Sequence, residues 1–133
     1  MDEFKEITVV AKDRIGLLAD VSEALSSKNI NIDSISVEST NRTAIIRLVV
    51  QKTSEAKKAL ESLGMKVMDS GVLVIGMPNH PGELAKLSRI LADQKMSIQS
   101  VFVLNKEGEQ TVLALKVDNY SGAKRILREK RYL

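Results

Sequence analysis

The chain repeats itself, and nothing else in it limits the possible folds so strongly. Sliding the sequence by about 66 residues places Gly16-Leu17-Leu18-Ala19 on Gly82-Glu83-Leu84-Ala85. The same shift puts Ser22 on Ser88, Leu25 on Leu91, Ile32 on Ile98, Ser34 on Ser100 and Val37 on Val103. One inserted residue in or near Asn105-Lys106-Glu107-Gly108-Glu109 moves the offset to about 67, after which Ile46, Leu48 and Val50 meet Leu113, Leu115 and Val117. Ser54 to Lys57 then land on Ser121 to Lys124, and Leu60 on Leu127. Chance does not hold both register and hydrophobic phase over so long a stretch, so the sequence reads as a duplication. Each half of 133 residues must therefore be one small unit, which excludes a large multidomain enzyme.

Within each copy the hydrophobic period changes in a fixed order. Ile7, Val9 and Ala11 alternate and Leu73 to Met77 are nearly all apolar, which predicts a first strand. Leu18, Val21 and Leu25, like Leu84, Leu87 and Leu91, recur at three and four residues and predict a helix. Ile35 and Val37, or Val101 and Val103, lead through polar turns into the Ile46-Leu48-Val50 type of strand, a hairpin. A second helix carries Ala56, Ala59, Leu60 and Leu63, with Ser54 expected as N-cap and Gly64 as the stop, and Met65 to Asp69 supply a fourth strand. The fold class is therefore α+β: two tandem ferredoxin-like βαββαβ units, each an antiparallel sheet with its helices on one face. The expected units are residues 4–71 and 72–133, joined rigidly by a tight turn at Asp69-Ser70-Gly71. The repeat offset places the last strand of the second unit at Tyr132, so that strand is expected to be missing and the Leu73 to Met77 edge left to be covered by another segment or a partner.

Composition removes most chemistries. There is no Cys and one His, so no disulfide, thiolate or clustered metal site is expected, and no cofactor. A net charge of +3, spread over both halves, is too slight to imply a polyanion partner, and 3% aromatic residues without Trp leave no base-stacking platform. No apolar run approaches the roughly 18–20 residues of a bilayer span, and the opening Met1-Asp2-Glu3 is acidic, which gives the expectation of a soluble cytoplasmic protein that binds neither membrane nor nucleic acid.

The residues after each first strand carry a family resemblance. Lys12-Asp13-Arg14-Ile15-Gly16-Leu17-Leu18 with the later Asn29-Ile30-Asn31-Ile32, and Met77-Pro78-Asn79-His80-Pro81-Gly82-Glu83-Leu84 with Lys95-Met96-Ser97-Ile98, resemble ACT domains. The resemblance covers nearly the whole chain as two tandem units and leaves no room for a catalytic domain. It implies a stand-alone regulatory protein, not an enzyme, that binds a free amino acid as effector, forms a homodimer or higher homo-oligomer, and acts on a separate metabolic enzyme or on its own assembly. The site it implies comprises Asp13, Arg14, Ile15, Gly16, Leu17, Leu18 and Asn31 in the first copy, and Asn79, His80, Pro81, Gly82, Glu83, Leu84 and Ser97 in the second. By the same resemblance, Asn31 and Ser97 are the positions that hydrogen-bond a ligand from the neighbouring strand.

Elementary chemistry supports the loop part of that site. A free amino acid presents a carboxylate and an ammonium group, and a helix N-terminus offers unpaired N–H groups to the first. Glycine at Gly16 or Gly82 removes the Cβ that would keep a ligand away, and Asp13 or Asn79 is placed to accept from the second. Asn79-His80-Pro81-Gly82 is the better loop, since Asn donates as well as accepts and Pro limits the entropy lost on binding. The same residues also have structural uses: Asp13 and Asn79 suit helix capping, Pro81 a helix start, and the glycines a strand-to-helix turn. The basic stretch Lys124 to Arg131 suits a helix C-terminus.

Other functions the fold hosts find less support. RNA-recognition modules need exposed aromatics on the hairpin strands, and Phe102 is the only aromatic in either hairpin. No nucleophile, base and orienting group recur together. A purely structural or oligomerisation role is the main alternative, because Val10, Ile45 and Val49, with Val74 and Val112, form an apolar band expected on the sheet faces away from the helices.

Overall fold

The computed structural model describes residues 4–133, and for Glu107 the backbone only. Two compact units divide between Ser70 and Gly71.

The first runs β1 (Lys5–Lys12), α1 (Leu17–Ser26), β2 (Ser34–Thr40), β3 (Thr43–Val50), α2 (Thr53–Glu61), β4 (Lys66–Gly71). Its four-stranded sheet has the order β2-β3-β1-β4, with β3 antiparallel to both β1 and β2. Ile7 and Val9 on β1 and Ile46 and Leu48 on β3 point to one face, where they meet Leu17, Val21 and Leu25 of α1 and Ala56, Ala59 and Leu60 of α2. That is the period of two meeting the period of 3.6. Each fully buried aliphatic side chain contributes about 1.5–3 kcal/mol over leaving it in water.

The second unit runs β5 (Leu73–Pro78), α3 (Glu83–Asp93), β6 (Ile98–Glu107), β7 (Gln110–Val117), α4 (Tyr120–Glu129). Its sheet has three strands in the order β5-β7-β6. Ile75 at the middle of β5 packs in one core with Leu87 and Leu91 of α3, Leu113 and Leu115 of β7, and Ala123 and Leu127 of α4. On the outer side of β5 the Gly76 N–H reaches the Tyr132 carbonyl at 3.4 Å. The expected ferredoxin-like architecture of antiparallel sheets and packed helices is present in both units.

Three local expectations are corrected. Asp69-Ser70-Gly71 is not a turn: β4 continues through Gly71, and only Val72 separates it from β5. Gly71 serves close approach, since a Cβ there would lie 3.2 Å from the Tyr120 ring. Ser54 is not an N-cap, because α2 starts one residue earlier and Lys52 holds the cap position without a side-chain bond. The apolar band on the far sheet faces is not open: Val49 is buried, and Val10, Ile45, Val74 and Val112 are half-buried. Exposed apolar residues gather instead on the edge strands and first helical turns, as Leu18, Ile35 and Val37 in one unit and Leu84, Val101 and Val103 in the other.

The inserted residue is absorbed as a bulge. Val103 pairs with Leu113 and Asn105 with Val112, which leaves Leu104 unpaired. Beyond it Lys106, not Asn105, takes the place that Ser39 holds in the first unit, since Lys106 faces Thr111 as Ser39 faces Ala44.

Candidate functional site

Each first strand ends in a short loop that enters a helix through a glycine. Gly16 has φ 87° and Gly82 φ 88°, a left-handed conformation that costs a residue with a side chain about 1–2 kcal/mol. Both glycines are the N-cap, and neither helix start has a side-chain cap, so capping is not the role of Asp13 or Asn79. Pro81 precedes the cap and is outside the helix. The Leu17 and Glu83 amides close weak turns at 3.3 Å onto the Arg14 and His80 carbonyls. The next two amides in each helix, of Leu18 and Ala19 and of Leu84 and Ala85, have no partner. Unpaired first-turn donors of this kind attract an anion.

The two loops differ in what already occupies them. In the first unit the Asp13 N–H donates to the Arg42 carbonyl at 2.8 Å, and the Asp13 carboxylate accepts a short hydrogen bond from the Ser39 hydroxyl. The Arg14 guanidinium pairs with Asp20 at 2.6 Å and lies 4.0 Å from where a Gly16 Cβ would stand. Ile15 at the loop tip is fully exposed. In the second unit the Asn79 N–H donates to the Glu109 carbonyl at 2.6 Å, but the side chains of Asn79 and His80 are exposed and unbonded. Nothing stands within 4 Å of a Cβ built at Gly82. Lys86 and Lys106 replace Asp20 and Ser39, so neither of the first loop's closing bonds has a counterpart.

Net charge sharpens the contrast, and here too the even spread expected of the sequence fails. Residues 1–70 hold 10 Lys+Arg against 11 Asp+Glu, whereas residues 71–133 hold 10 against 6. The excess positive charge belongs to the unit with the open loop.

Asn31 and Ser97 are not beside these loops. They lie past the far ends of α1 and α3, and α1 alone, 10 residues long, puts about 15 Å between its two ends. Asn31 bonds Asp33 at 3.1 Å and lines an open cavity of about 400 Å³ with Ser22, Ser26, Asn29, Ile30 and Ile32. The Ser97 N–H is held by the Asp118 carboxylate at 2.9 Å. One small ligand in one unit cannot touch both ends. Sequence reasoning also missed Thr111, buried to 2% exposure with a hydroxyl that has no partner. Its signal was present in the repeat, where the aligned residue is Ala44.

Among the described residues no group of His, Cys, Asp or Glu is arranged to hold a metal, and no helix is long and apolar enough to cross a membrane.

Comparison with known proteins finds likenesses for the first unit in sequence and for nearly the whole chain in fold. Residues 5–64 match the ACT domain. An uncharacterized protein of Methanocaldococcus jannaschii is 41% identical over 64 residues, which are 47% of this chain and 44% of that protein, so the match spans less than half the length of that relative. The crystal structure of protein BT0572 from Bacteroides thetaiotaomicron superposes with a TM-score of 0.86 at 25% identity, over 96% of this chain and 88% of the other. The ligand-free regulatory subunit of aspartate kinase from Thermus thermophilus shares the fold at a TM-score of 0.71 and 17% identity, over 97% of this chain and 93% of that one. The first unit thus matches the ACT domain, and the second repeats its order of strand, helix, two strands and helix.

Proposed function

We propose that this protein binds a free amino acid at the β5–α3 loop and acts as a regulator, in the cytoplasm, without chemistry of its own. The observation that carries the reading is the glycine-capped helix start with two unpartnered amides. The Leu84 and Ala85 N–H groups suit a carboxylate, and Gly82 leaves the approach clear. The residues proposed to hold the ligand are Asn79, His80, Pro81, Gly82, Glu83 and Leu84. The matching loop from Asp13 to Leu18 is a weaker site, because its polar groups already bond one another. Asn31 and Ser97 do not reach a ligand held at the loop of their own unit and would meet one only from another unit, such as one in a second copy of the chain.

Such a copy has a place to bind. β2 is an edge strand that exposes Ile35 and Val37, 40% and 49% accessible, and the same unit exposes Leu18 at 46%. Edge pairing there would cover apolar surface and unpaired backbone together, giving a homo-oligomer. The object of regulation is proposed to be a separate metabolic enzyme. The likeness to an aspartate kinase regulatory subunit supports that class of role through the fold alone.

A thermal-shift screen over the twenty standard amino acids tests the reading. A ligand of the folded state at 100 times its Kd adds about 2.7 kcal/mol, so one amino acid or a related few should raise the melting temperature in a concentration-dependent way. No response to any of them favours the structural role instead.

A further inference from the structure

The repeat makes each unit a control for the other, and it isolates one paired substitution. In the first unit Leu17, the first residue of α1, and Ala44, at the start of β3, belong to one apolar cluster at 5% and 1% exposure. Their counterparts are Glu83, the first residue of α3, and Thr111, at the start of β7. Two apolar core residues of one unit have become a carboxylate and a hydroxyl in the other.

A stability argument accounts for Glu83 alone, since an acid in the first turn suits the helix dipole. It does not account for Thr111. Alternation along β7 puts Thr111 on the same face as Leu113, Leu115 and Val117, the face that packs against the helices. Its cross-strand partner is Met77, two residues before Asn79, so Thr111 sits at the end of the sheet from which the β5–α3 loop leaves. There it is 2% exposed and unbonded, a state that folded proteins avoid unless the group has another use. Glu83 is half-buried, and its carboxylate has no ion pair or hydrogen bond.

We infer that Glu83 is the acceptor for the ligand's ammonium group and that Thr111 is the positioning residue that turns its carboxylate inward. The inference rests on the reading that α3 holds an amino acid. In the liganded state the Thr111 hydroxyl donates to one oxygen of Glu83, and the other oxygen accepts from the ammonium group. The ligand carboxylate takes the Leu84 and Ala85 amides, with the exposed Lys106 opposite Thr111 adding positive charge on that side. The site thus selects zwitterions: a carboxylic acid without the amine leaves Glu83 facing no partner. The first unit, with Leu17 and Ala44 in these places, has no such acceptor.

The test is calorimetric titration of the full chain with the amino acid that gives the largest thermal shift, and with its N-acetyl derivative. Variants are Glu83→Gln, Thr111→Val and Thr111→Ser. Wild type should bind the free amino acid and not the N-acetyl form. Glu83→Gln and Thr111→Val should each lose about tenfold or more in affinity, the weight of one hydrogen bond to a charged group. Thr111→Ser should restore binding. The unliganded melting temperature of Thr111→Val should hold or rise, because the orphan hydroxyl is gone, so a loss of affinity there is not a loss of fold. Unchanged affinity in both Glu83→Gln and Thr111→Val overturns this inference and leaves the amino-acid reading standing. A wild type that responds to no standard amino acid overturns both.

Discussion

Gly82→Ala separates backbone strain from ligand approach in a single residue. In the folded chain the residue sits at φ 88°, so an alanine there carries about 1–2 kcal/mol of conformational cost. Nothing lies within 4 Å of the added Cβ, so no steric term joins it. The unfolded chain loses freedom with alanine, which returns about 0.4–1 kcal/mol. The net loss should be about 1 kcal/mol, read as a lower urea midpoint with an unchanged slope. Gly82→Asn should lose less, since Asn tolerates this region. Gly16→Ala should match Gly82→Ala in stability, with Arg14 only at van der Waals distance. In affinity the two should part: the Cβ at Gly82 points into the space where a ligand's carboxylate would approach, so calorimetry should show a clear loss there and none at Gly16. A stability loss well above about 2 kcal/mol at Gly82 would mean that a packed neighbour exists. Full affinity in Gly82→Ala would move the ligand off this loop.

Three further outcomes are expected. Arg131 follows α4 at φ 66°, with the Tyr132 N–H bonded to the Leu127 carbonyl at 2.8 Å, and Gly64 has its place in the first unit, so Arg131→Gly should stabilise by about 0.5–1 kcal/mol in urea titration. Gly71→Ala should cost about 1 kcal/mol through the Tyr120 ring at 3.2 Å, and Tyr120→Leu in the same chain should relieve part of that penalty. Val37→Lys, at a 49% exposed edge position, should leave the stability of dilute protein within about 0.5 kcal/mol of wild type while weakening self-association in sedimentation velocity, and undiminished association would place the interface elsewhere.

What the sequence disclosed was what many residues encode together. Hydrophobic phase at Ile46, Leu48 and Val50 and again at Leu113, Leu115 and Val117 made the duplicated sheets visible, because burial acts on every second residue of a strand. Single residues with two uses were not legible. Gly71 looks the same in sequence whether it turns the chain or admits a tyrosine ring, and Arg131 gives no sign that it ends a helix in the conformation Gly64 adopts. Ser54 and Thr53 are equally good caps on paper, and the helix uses neither. The separation of Asn31 from Gly16 is a matter of helix length, already countable from Leu17 to Ser26, but a resemblance between motifs says nothing about which end of the helix each occupies.

The hairpin edge strands of the two sheets, β2 and β6, are unequal as building material. β2 pairs with β3 in an unbroken register from Ser34 to Thr40, whereas β6 is irregular at two places, between Ile98 and Ser100 and again at Leu104. Bulges bend a strand and spoil it as a template for another. Of these two edges only β2 stays fit to pair with a copy of itself, and self-pairing through one such edge closes as a twofold dimer. On this view the inserted residue at Leu104, together with the irregularity between Ile98 and Ser100, works as a guard against open-ended growth through β6.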